Sequence, residues 1–400
     1  MASNDEILQL PDWEQTEPLE GAPDFLKDDN WFNIDISADF LDFTEVYQPP
    51  RWTMQRDGIP FANMGELHII SGKAGHGKTN LMSQFIAAIL SGKSGNTEYT
   101  QPSTVDHPII LYIDTEQGKD DTIAFKNRIC TMAGFDYSKA YDNFKILRLR
   151  NTEKTDDRWK KILKAVWMVH PTDIFLDGAL DIVNDYNDQK ECQPVIFKCM
   201  KLSTHYDASL WMVLHENPMV DKLVGTLGSI AQRKVSEVFT VRKHKQTEEK
   251  QRMPGFPDIY FEVAQIKARG RDIPNWFFQV LPSVNGWGMP IEIDDTGATA
   301  IDPEEYKAQQ ERIEANDYLM HCPWTNVGCT YTEIDKYLRS KGVTSNRRIK
   351  KIFDAAMEAG IIYKNERGKY FYNGMNNTLP NDAPEALAFG QRNDDEEVPY

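Results

Sequence analysis

The 400-residue chain contains no apolar run near the ~20 residues that a membrane-spanning helix requires. Met1 to Leu10 carry acids where a secretory leader carries a basic start and an apolar stretch, so no export signal is expected. Cysteine is sparse, with five residues at 130, 192, 199, 322 and 329. Only Cys322 and Cys329 lie close together, and no second ligand pair stands beside them. That spacing argues against a disulfide framework or a zinc site and for reduced thiols in the cytoplasm. No internal repeat is evident.

Positive charge is nearly missing from both ends. Residues 1–50 set thirteen acids against Lys27 alone, and residues 376–400 set six acids against Arg392. Of the total net charge of −16, these ends hold −12 and −5, which leaves residues 51–375 at +1. The overall acidity therefore does not exclude nucleic acid as a partner of the middle. The ends read as solvated segments able to dock protein partners. Trp13, Phe25, Trp31, Phe32, Phe40 and Phe43 predict that part of the first fifty residues packs on something.

What is present is a pattern of short apolar runs alternating with amphipathic stretches from Gly65 to Pro282. It predicts an α/β fold with a parallel sheet flanked by helices. Strands are expected at 66–71, 109–113, 144–147, 173–177 and 209–214, with helices at 80–90, 156–170 and up to Tyr206. Three consecutive strands, 235–241, 259–266 and 276–281, predict an antiparallel extension. The expected organisation is an acidic, partly flexible segment over 1–50, a core over 51–285 and a linker over 286–310. A small domain over 311–375 and an acidic flexible tail over 376–400 complete it.

Gly72-Lys73-Ala74-Gly75-His76-Gly77-Lys78-Thr79 fits the pattern G-x-x-x-x-G-K-[ST] at every fixed position. It stands between a strand and a helix, the context this loop needs. Its glycines let the backbone wrap closely and aim N–H groups inward, while the helix N-terminus, entered at Asn80, favours a polyphosphate. Lys78 is placed to reach the β- and γ-phosphates of ATP and the Thr79 hydroxyl to ligate Mg²⁺. Asp177, ending a buried strand, is the second expected Mg²⁺ residue. Period-2 alternation puts Asp114 and Glu116 on one face of a strand tip, where Glu116 can orient the attacking water or accept its proton.

A phosphate loop, a strand ending in Asp114-Thr115-Glu116, a strand ending in Asp177 and a later strand ending in a polar residue resemble the RecA-like ATPase core. Within it the chain resembles the hexameric replicative helicases of mobile plasmids (the RepA type) and, more distantly, DnaB-type helicases and RadA. The resemblance implies Glu116 as catalytic base and His215 as sensor of the γ-phosphate. It also implies that Lys267 and Arg269, in Lys267-Ala268-Arg269, reach the γ-phosphate of a neighbouring subunit in a ring of six. The loops Gly178–Lys190 and Asn217–Ile230 would then face a DNA channel. The first is acidic, through Asp181, Asp185 and Asp188, and the second offers mainly Lys222.

The helices and basic-tipped hairpin of residues 311–374 resemble a winged helix-turn-helix domain. Arg347, Arg348, Lys350 and Lys351 stand on its recognition helix, with Lys364, Arg367 and Lys369 on the wing. This is a layout suited to DNA phosphates, and equally open to a role as a protein-docking module. Three functional readings follow: a DNA motor, an ATP-switched DNA-binding initiator or adaptor, and a RecA-type recombinase.

Overall fold

The computed structural model describes residue 44 and residues 46–100, 107–220, 222–246, 255–282, 287–294, 296–299 and 303–373. The chain divides into Met1–Pro49 and Pro50–Tyr400, and every element below belongs to the second unit. The packing expected of the aromatics before residue 44 and the tail over 376–400 lie outside the described residues.

Asp57 and Gly58 both take positive φ and turn β1 (Trp52–Arg56) into β2 (Ile59–Asn63), as an Asp-Gly hairpin requires. Then come β3 (Leu67–Gly72), the phosphate loop, α1 (Lys78–Ser91), β4 (Lys93–Ser94) and β5 (Thr97–Tyr99). Strands β2, β1, β5 and β4 form a small antiparallel sheet that the apolar pattern did not predict.

The chain continues through β6 (Ile110–Asp114), α2 (Lys119–Met132), β7 (Phe144–Arg148), α3 (Thr155–Val169) and β8 (Asp173–Asp177). A 3₁₀ turn, Ala179–Ile182, leads to α4 (Gln189–Tyr206), β9 (Ser209–His215), α5 (Gly225–Lys234), β10 (Glu237–Lys245), β11 (Ile259–Lys267), β12 (Trp276–Leu281) and β13 (Met289–Ile293). The main sheet runs β13-β12-β11-β10-β3-β9-β8-β6-β7. It is parallel from β10 to β7 and antiparallel from β10 to β13, the architecture expected.

Two apolar layers fix this arrangement. One face packs Trp159, Ile162 and Val166 of α3 with residues of α4 and α5. The other packs α1 and α2 together with Met54 and Phe61 of the small sheet. Period-2 strands covered on both faces must be apolar throughout, which is why β3, β6 and β8 are wholly buried.

The expected linker, 286–310, contains β13 (Met289–Ile293) and the start of α6 (Pro303–Leu319), which begins eight residues before the small domain expected from residue 311. Pro290 disguises β13 in the sequence, yet an edge strand tolerates a residue without an N–H. After α6 come α7 (Tyr331–Ser340), α8 (Asn346–Glu358) and the hairpin β14 (Ile362–Lys364) with β15 (Tyr370–Tyr372). Thr330 and Glu333 form a capping box at α7, whereas Ser345 stands at the N-cap of α8 without a side-chain bond. These elements enclose their own core around Leu319, Ile334, Leu338, Ile349, Ile352 and Phe353. Tyr137, after α2, donates its hydroxyl to Asp317 of α6. All five cysteines are buried free thiols. No helix among the described residues is long and apolar enough to cross a membrane.

Phe85 of α1 is fully buried, with ring centroids 5.6 Å from Phe61, 5.2 Å from Trp211 and 5.8 Å from Phe239. Phe85→Ala is expected to lower stability by ~3–5 kcal/mol, read from denaturant unfolding.

Candidate active site

Strand β3 delivers the chain to the phosphate loop at Gly72. A Cβ there would sit 2.6 Å from the Val241 carbonyl oxygen, so the strand can pass β10 only as glycine. Gly77 takes φ 92° and lies against the Phe261 ring, where a Cβ would approach to 2.7 Å. It is the N-cap of α1 yet gives no side-chain cap, and the first turn holds no acid. Asn80 N turns back to Gly77 O at 3.0 Å, so it is the Lys78 and Thr79 amides that serve an anion, and the helix dipole adds to them. Cradle, uncapped helix and buried lysine fit a nucleotide triphosphate.

Lys78 is 7% exposed. Its Nζ donates to Gly72 O at 2.9 Å and to Lys73 O at 3.1 Å, and it lies 3.1 Å from His215 Nδ1. Burial lowers its pKa, while Asp177, Glu116 and Glu216 act against that fall. Because the ammonium can only donate, His215 accepts at Nδ1 and carries its proton on Nε2. That nitrogen aims its N–H at Glu116 Oε1 from 3.7 Å, a long polar contact. His215, with Lys78 behind it, holds Glu116 below the usual carboxylate range.

His215 reaches this place because β9 lies between β3 and β8, pairing Gly72 with His215. Asp177, at the tip of β8, accepts Tyr112 Oη at 3.0 Å and Gln117 Nε2 at 3.1 Å. Burial, with repulsion from Glu116, pushes its pKa up to about 6. Lys78, Thr79, Asn80, Glu116, Asp177 and His215 line one cavity. His76 accepts the Lys243 amide at Nδ1, 3.2 Å away, which fastens the loop crest to β10.

Asp114 does not share this face with Glu116. It is buried, its Oδ1 accepting the amides of Glu116 at 3.0 Å and Gln117 at 2.8 Å, its Oδ2 the Thr122 hydroxyl at 2.6 Å. The strand ends at Asp114, so alternation stops there and the side chain shapes the turn that presents Glu116. Arg128 of α2 is a cavity residue that sequence reasoning missed. It donates to Asn80 Oδ1 at 2.7 Å, and its buried Nε has no protein partner. Its only sequence signal is a position twelve residues beyond Glu116 on an amphipathic helix.

Lys267 and Arg269 lie elsewhere. Lys267 Nζ donates to Gln232 O and Val235 O, both at 2.7 Å, closing the end of α5. Arg269 pairs with Glu66 at 3.3 Å, beside the start of β3. At ~3.3 Å per residue that is roughly 20 Å from Gly72 along the strand.

In the C-terminal unit, Arg348 pairs with Glu314 at 2.6 Å and Lys351 with Glu311 at 2.7 Å, both facing α6. Arg347 and Lys350 are exposed on α8, as are Lys364, Arg367 and, in the main unit, Lys222; Lys369 is half-buried. Lys364 also covers the Tyr370 ring at 5.5 Å. In the 178–190 loop, Asp181 accepts the Thr115 hydroxyl at 2.9 Å and Asp188 caps α4. These acids shape the loop itself.

Residues 35–218 match the family described as an AAA domain, a span holding the phosphate loop, Glu116, Asp177 and His215 and less than half of the chain. Phosphate loop, parallel sheet and matched segment together are similar to the core of a P-loop ATPase domain. No curated protein matches the chain. Among solved structures, a KaiC-like protein from the hyperthermophilic archaeon Pyrococcus horikoshii is similar at 15% identity and a TM-score of 0.41, covering 60% of this chain and 99% of that one. A likeness that loose transfers nothing to this chain.

Two outcomes test the site. Arg128→Gln is expected to weaken ATP and ADP binding about tenfold through loss of a charged hydrogen-bond donor, measured by calorimetry. If Asp177 is a Mg²⁺ ligand, the ion needs its carboxylate ionised and must displace its proton. Mg²⁺-nucleotide affinity is therefore expected to fall as pH drops through about 6 and to level off above it, read from titrations at successive pH values.

Proposed function

We propose that this chain is a Mg²⁺-dependent ATP hydrolase that works as a ring, of six subunits, and moves on DNA. Lys78 and the amides of α1 hold the phosphates, while Thr79 and Asp177 hold Mg²⁺. Bound Mg²⁺ offsets charge on the phosphate oxygens. Glu116, kept ionised by His215, orients water toward the γ-phosphorus and takes its proton. His215 touches both Lys78 and Glu116, which suits a side chain that registers the γ-phosphate.

The observation carrying the assembly is the place of Arg269. A cation at the opposite end of β3 cannot reach its own phosphate loop, so any part in hydrolysis is played in a neighbouring subunit. Lys267, fixed to α5, holds that corner in position. For DNA, the support is the exposed set Arg347, Lys350, Lys364 and Arg367 of a unit with winged-helix order. The pairing of Arg348 and Lys351 with α6 favours a second reading, an ATP-switched adaptor, because it halves the free charge of α8.

Steady-state ATP hydrolysis with and without single-stranded DNA separates the two, with Lys78→Ala as the blank. Strong stimulation is expected, and slow, DNA-indifferent turnover would favour the switch. Arg269→Ala and Glu116→Gln proteins, each inactive alone, are expected to regain part of the turnover when mixed. An inert mixture would remove Arg269 from catalysis.

A further inference from the structure

Behind the phosphate loop lies a carboxylate whose hydrogen bonds have no part in the chemistry above. Glu216 follows His215 and is 7% exposed. Its Oε1 accepts Ser71 Oγ at 2.8 Å, the last side chain before Gly72, and Thr240 Oγ1 of β10 at 2.9 Å. The two hydroxyls are 2.6 Å apart. The Glu216 amide also donates to Gly72 O at 3.1 Å. A buried carboxylate is costly without such bonds, and here the ends of β3 and β9 and the body of β10 at Thr240 meet on one oxygen.

The same residue is the root of a hairpin. Glu216 bridges to Leu223, Asn217 N donates to Lys222 O at 2.8 Å, and Val224 N donates to His215 O at 2.9 Å. The tip exposes Met219 at 88% and Val220 at 48%. The hairpin, His215 and the phosphate loop are thus joined by hydrogen bonds that all pass through two consecutive residues.

We propose that Glu216 is a positioning residue that locks the ends of β3 and β9 to β10 at Thr240, so that His215 and the phosphate loop move with residues 217–220 and 222–224 as one piece. The proposal rests on the reading of the cavity as an ATPase site. Contact at the hairpin tip then reaches the Lys78–His215 pair through the Glu216 side chain and the backbone bonds beside it. Nucleotide affinity, set by the loop amides and by Lys78, for which Glu216 is the smallest of three carboxylate supports, depends on it weakly; turnover, which needs His215 and Glu116 in register, depends on it strongly.

The test compares full-length variants by kcat, equilibrium ATP affinity and nucleotide-free melting. Glu216→Ala is expected to lower kcat about tenfold, the factor that ~1.4 kcal/mol makes, with ATP affinity within about threefold. Glu216→Gln keeps the acceptor oxygen and is expected to restore most of kcat. Unchanged kcat in Glu216→Ala, or a loss that Gln does not restore and that follows melting, overturns the proposal. If Glu216→Ala fails to fold, Ser71→Ala with Thr240→Ala decides instead, and unaltered kcat there is equally fatal. Undiminished ATP binding by Lys78→Ala is a separate failure, which removes the site reading and the proposal with it.

Discussion

Lys78 carries its charge at a place where burial works against it. The loop solves this locally, by folding the ammonium onto its own carbonyls at Gly72 and Lys73, and at longer range through Asp177, Glu116 and Glu216. Each carboxylate sits at or just beyond the tip of a different strand, so the cation depends on β6, β8 and β9 ending in register. The sheet order is therefore an electrostatic requirement as much as a packing one. Moving β9 out from between β3 and β8 would separate His215 from Lys78 and leave the ammonium without its imidazole partner.

Most of this core was legible because its determinants are local. A glycine-rich loop between a strand and a helix, and acids closing apolar runs, are short-range signals that the fold preserves. What escaped depends on partners far along the chain. Asp114 reads as a site acid until the turn after it is known, and its bonds to the amides of Glu116 and Gln117 make it a scaffold. Arg128 has meaning only beside Asn80, 48 residues away. The small sheet escaped for a different reason: Asp57-Gly58 is a plain hairpin signal, but the strands it joins are too short and mixed to form an apolar run.

The C-terminal unit shows how charge counted along a sequence differs from charge available in space. Helix α8 presents Arg347, Arg348, Lys350 and Lys351 within five positions, and 3.6-residue periodicity divides them between two directions. Arg348 and Lys351 turn to Glu314 and Glu311, so half of the apparent basic face holds α6 in place. The remainder, with the hairpin cations, is a smaller patch than the composition implies.

Pro290 has a further consequence. Standing in β13, it leaves the outermost strand of the nine-stranded sheet short of one amide donor. A tenth strand supplied by another molecule would meet a proline in the ladder and, at Ile293, a place already taken by Thr299, two common protections of a sheet edge. Copies of this chain that meet at that edge must fit by side-chain shape and charge, and the sheet itself stays finite.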